Sequence, residues 1–123
     1  MDEEKNKLLN QVNTDIIFFS LSLIAGIISL YIINEKKKSI LKKKCISNSN
    51  ANKIYKANRF LLFLISFYFL SNSYYYYKKI QNDKDITEED YNQAKFLFIA
   101  NIFSFISAII YLPLGNSNLI IEN

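Results

Sequence analysis

Ten residues, Glu35 to Lys44, hold six lysines: Lys36, Lys37, Lys38, Lys42, Lys43 and Lys44. Such a cluster attracts negative charge, whether on nucleic acid, a lipid headgroup or an acidic partner. On a helical wheel the six point in every direction, so the run reads as a solvated extension of a helix or a loop. No nucleic-acid reading element accompanies it. The expected contact is with anionic lipid headgroups, worth ~1 kcal/mol per lysine near the surface.

The other reactive groups are sparse. Asp83, Asp85, Glu88, Glu89 and Asp90 gather negative charge, but the pattern is that of a solvated loop and a helix start. Thr87 can cap, and the acids fill the first turn. Cys45 is the single cysteine and the chain has no histidine. The usual general base and metal ligand is therefore missing. Two glycines, Gly26 and Gly115, cannot build a phosphate loop. These absences predict no enzyme, no cofactor and no metal.

The elements that must carry these groups follow from charge segregation. Three stretches are free of charge: 16–34, 60–77 and 96–121. A hydrocarbon layer about 30 Å thick needs ~20 apolar residues in a helix. Between Ile16 and Ile33 the polar side chains are Ser20, Ser22, Ser29 and Tyr31, so no rotation of that helix offers water a charged face. A domain of 123 residues cannot bury three such helices centrally. The expectation is an all-α, single-domain, integral membrane three-helix antiparallel bundle whose long helices extend beyond the bilayer. Its spans are about 16–34, 60–77 and 96–114, joined by a basic loop 35–59 and an acidic loop 78–95. Asp2, Glu3 and Glu4 do not suit the positive start of a signal peptide, so the first span is expected to be retained. Pro113 ends the third helix, and the tail 116–123 reads as frayed, with Leu119 to Ile121 able to lie on the membrane surface.

Helix packing is expected at small residues. Ser22 and Gly26 form such a pair on the first span. Ala100, Ser104 and Ala108 repeat at i+4 on the third, beside Asn101 and opposite Phe98, Ile102 and Phe103. The second span is an aromatic filler. Ser22, Asn72 and Asn101 fall at one depth, roughly 8–10 Å inside the outer boundary at 1.5 Å per residue. They are expected to form an interhelical hydrogen-bonded layer.

Nine Lys and Arg lie between the first two spans against six on the other side. Positive loops stay cytoplasmic, which predicts a multi-pass cell-membrane protein with the N-terminus outside and the C-terminus inside. Tyr74 to Tyr77 suit an interfacial anchor. No ionisable residue lies deep in a span, which argues against a coupled pump. The expected role is a small accessory, regulatory or scaffold subunit, alone or with a membrane-protein partner or further copies of itself. In size, span count and orientation the chain is similar to phage holins with three helices. That resemblance implies a self-assembling permeabilising protein, although holins of this kind end in a basic tail and this chain has only Glu122 there. A bacteriocin immunity protein is a third possibility.

Overall fold

The computed structural model describes residues 2–114 and 119–121. They form three helices, α1 (Asp2–Ile40), α2 (Asn48–Gln81) and α3 (Glu88–Tyr111), with no strand among the described residues. The acids Asp2, Glu3 and Glu4 fill the first turn of α1 and Lys37 and Lys38 its last, complementing the helix dipole at both ends. Thr87 caps α3 as its sequence predicts, accepting the Asp90 N–H at 3.2 Å. Leu112 closes α3 on the carbonyls of Ala108 and Ile109, just before Pro113 forbids another turn.

The end of α1 is a Schellman turn. The Lys43 N–H reaches the Lys38 carbonyl and the Lys42 N–H that of Ser39. The left-handed position falls on Lys42, at φ 58°. A lysine there meets its own Cβ against the backbone, which glycine avoids. Lys42→Gly is expected to stabilise the folded chain by ~0.5–1 kcal/mol. Detergent-phase unfolding followed by helical circular dichroism checks this, and a loss of stability would contradict it.

The chain divides into two compact units. The first is Met1–Leu61 with Asn116–Asn123, and the second is Leu62–Gly115. Each contains one helix-to-helix contact. In the first, the stripe Ala25, Ile28, Ile32, Glu35 and Ser39 of α1 repeats at helical spacing and meets Ala51, Ile54, Tyr55 and Asn58 of α2. In the second, Phe63 and Phe67 meet Phe105, Tyr74 meets Phe98, and Tyr77 meets both Phe98 and Tyr91, with ring centroids 5.4–5.8 Å apart. Tyr91, Phe98 and Phe105 are seven residues apart, two turns each, and so share one face. The Tyr77 and Tyr91 hydroxyls lie 3.1 Å apart. This hydrogen bond, with smaller help from desolvation, raises the Tyr91 phenol above its ordinary 10.0.

Two helices, α1 and α3, are long and apolar enough to cross a membrane. The uncharged stretch of α2 is diluted by Asn72, three serines and four consecutive tyrosines, and α2 does not meet the same measure.

Candidate functional site

The polar and basic groups converge at the turn between α1 and α2. Glu35 is the sole carboxylate between Asp15 and Asp83, and its residue is 5% exposed. One carboxylate oxygen accepts the Ile46 N–H at 3.1 Å and the other pairs with the Lys38 ammonium at 3.3 Å. A buried carboxylate survives only with such partners. It ties the loop back onto α1. Ser39, one turn further along the same face, is also buried. Its hydroxyl donates to the Lys36 carbonyl and accepts the Ile121 N–H at 3.2 Å. Ser47 starts α2, with its hydroxyl accepting the Asn50 N–H.

The described part of the tail docks here. The Asn48 side-chain oxygen accepts the Ile120 N–H at 3.0 Å. Leu119 and Ile120 are buried with Ile32 and Ala51, flanked by Ile28, Cys45, Ile46, Ile54 and Tyr55. Leu119 to Ile121 therefore pack on the α1–α2 turn and are not frayed, because two backbone N–H groups and two large alkyl side chains find partners there. The rest of 116–123 lies outside the described residues. Equally, the run Glu35–Lys44 is not uniformly solvated. α1 extends to Ile40, and its face carrying Glu35 and Ser39 is closed by the loop and the tail.

The six lysines separate into classes. Lys38 is half-buried on Glu35, while Lys36 and Lys37 are exposed on the other sides of α1. Lys42, Lys43 and Lys44 border a groove of about 380 Å³ together with Ser39 and Ser47. Its remaining wall is Cys45 with the alkyl side chains of Ile46, Ile120 and Ile121.

Further along the same hairpin, Asn58 is 5% exposed. Its side-chain N–H groups reach the Ala25 carbonyl at 3.2 Å and the Ser29 hydroxyl at 3.0 Å, while its carbonyl oxygen is buried without a partner. This sets the register. Lys53, Lys56 and Arg59 stand level with Ala25 to Ile32, well inside the uncharged stretch of α1. Lys53 and Lys56 are exposed, and the Arg59 guanidinium lies 3.9 Å over the Tyr55 ring.

The residues expected to form a polar layer are dispersed over both units. The Ser22 hydroxyl is satisfied within its own helix, by the Phe18 carbonyl at 3.0 Å. Gly26 is exposed, and a Cβ built on it would meet nothing within 4 Å. In the second unit Asn72, Asn101 and Ala108 are half-buried, and Ala100 and Ser104 are exposed. The α2 contact there is made by Phe98 and Phe105, so Phe98, on the side opposite the small residues, meets α2.

Sequence reasoning passed over Glu35, Ser39, Asn48 and Asn58. Two signals were present: a single acid among nine cations, and the seven-residue step from Ala51 to Asn58 to Ile65, all buried. Among the described residues no group of three or more His, Cys, Asp or Glu side chains could hold a metal ion. In the acidic loop the Asp83 carboxylate accepts the Asp85 N–H at 3.0 Å, a turn-forming role. No protein-family model, curated protein or solved structure matches this chain.

Proposed function

We propose that the chain is an integral membrane protein that crosses the bilayer as three antiparallel helices, with a basic cytoplasmic head that sits on anionic lipid. It acts there without chemistry of its own, as an accessory or scaffold subunit. The carrying observation is the exposure of large apolar side chains along the two membrane-length helices: Leu23 at 72%, Leu30 at 66% and Phe103 at 66%. Apolar surface of this extent calls for lipid or a partner. The contacts within each unit run in opposite order along the two helices, as an antiparallel pair requires.

The head also supports a position for the bilayer boundary. Closing Ile32, Ala51, Leu119 and Ile120 into a cluster gains most where the alternative is water, because lipid tails are as apolar as isoleucine. Lys53 and Lys56 stand at the same level and snorkel toward headgroups. The hydrocarbon on this hairpin therefore ends near Ile28, about one and a half turns short of Asn34.

Cysteine accessibility tests this reading. Leu23 and Ile33 are similarly exposed in the chain itself, at 72% and 63%, so only the bilayer can distinguish them. In a Cys45→Ser background in inside-out membranes, Ile33→Cys is expected to react with a charged maleimide and Leu23→Cys to be protected. Equal reactivity of both, or release of the chain by alkaline carbonate, would overturn it.

A further inference from the structure

We infer that the groove at the α1–α2 turn is a binding site for a phosphate monoester, with Ile120 and Ile121 of the tail as one wall. Four observations converge. Lys42, Lys43 and Lys44 are exposed at its rim and have no partner among the described residues. Ser47 caps the N-terminus of α2 on the groove's edge, where the helix dipole favours an anion. Among the described residues no carboxylate lines it, since Glu35 is buried and occupied by Ile46 and Lys38. Its volume of about 380 Å³ suits a headgroup or a small phosphorylated molecule.

The ligand class follows from the donor set. A monoester carries close to two negative charges at neutral pH and three terminal oxygens. Three ammonium groups at adjacent positions match that charge, and the Ser47 hydroxyl on the same groove, an acceptor for the Asn50 N–H, keeps its own hydrogen to donate. A phosphodiester offers one charge and two such oxygens. The alkyl wall of Ile46, Ile120 and Ile121 would lie along the carbon skeleton that bears the phosphate. The phosphate can arrive on a lipid such as phosphatidic acid or free from solution. The lipid source rests on the membrane reading above, whereas the free source does not.

The test uses the full chain, labelled with ¹⁵N, in zwitterionic micelles at one salt concentration. It is titrated separately with inorganic phosphate, short-chain phosphatidic acid and short-chain phosphatidylserine. Phosphatidic acid is expected to shift the amides of Lys43 to Ser47 and of Ile120, and to bind about tenfold more tightly than phosphatidylserine. The triple change Lys42→Gln, Lys43→Gln and Lys44→Gln should weaken it by about tenfold or more, and Lys44→Gln alone by about threefold. Lys36→Gln, Lys37→Gln and Lys53→Gln together remove the same charge outside the groove and should cost less than about threefold. Matching shifts with inorganic phosphate assign the source to solution as well, and shifts with phosphatidic acid only assign it to lipid. Equal binding of the two lipids, or equal loss in the two triple variants, would show diffuse attraction and overturn the site. Because micelles replace the bilayer, a failure here is separate from a failure of the cysteine test.

Discussion

Glu35→Ala is expected to destabilise the α1–α2 turn by about 2–3 kcal/mol, the largest effect of any single substitution at the basic head. Two partners are lost, and they are unequal. Lys38 keeps 42% of its side chain exposed and regains water when the carboxylate is removed. Its half of the interaction is therefore worth under ~1 kcal/mol. The Ile46 N–H is the costly partner, because a buried donor without an acceptor forfeits about 1–3 kcal/mol. The vacated space adds to the loss. Three variants separate these contributions. Glu35→Gln keeps an acceptor for Ile46 and should cost about 1 kcal/mol. Lys38→Ala should cost less still. Only Glu35→Ala should free the loop, seen as fast hydrogen exchange at the Ile46 amide. If Lys38→Ala matched Glu35→Ala, the ion pair and not the amide contact would hold the turn.

At Asn58 the direction depends on shape. Asn58→Ala removes two interhelical hydrogen bonds and leaves a cavity between α1 and α2, and should cost about 2 kcal/mol. Asn58→Leu keeps the same heavy-atom branching in a somewhat larger side chain and removes an amide whose oxygen is buried without a partner. The acceptors on α1 are not stranded by this change, because the Ala25 carbonyl also receives the Ser29 hydroxyl at 3.0 Å. Asn58→Leu should therefore be neutral or stabilising by up to about 1 kcal/mol. The amide then serves to fix the register of the hairpin. The leucine variant, lacking that hydrogen-bond key, should show a broader set of α1–α2 distances between spin labels. Unfolding in mixed micelles reads the first effect and dipolar spectroscopy the second. A leucine variant as unstable as the alanine variant would refute the account.

The helices themselves were largely legible from residue order. Thr87 with three following acids marks the start of α3, and Pro113 marks its end. The Ser47–Asn52 run of capping residues marks the start of α2, whose first residue is Asn48. Local chemistry determines these points, since caps, prolines and first-turn charges act over one turn. The head was much less legible. Glu35 lies among lysines, Asn58 beside Arg59, and Leu119 to Ile121 beyond a proline and a glycine; each reads locally as solvent-facing or frayed.

Residue order alone therefore establishes an all-helical chain with long uncharged stretches and a concentrated positive charge. Those properties depend on spacing within one element. Which lysines border a groove, where Glu35 finds its partners and what Leu119 to Ile121 cover depend on contacts between elements. Glu35 and Ile46 are eleven positions apart, Asn58 and Ala25 thirty-three, and Ile121 and Ser39 eighty-two. No periodicity within a helix encodes such pairings, because each follows from how α1, α2 and the tail dock. The lysine run that first suggested a diffuse basic surface becomes, once docked, one half-buried partner of Glu35, two solvated cations and a three-lysine rim.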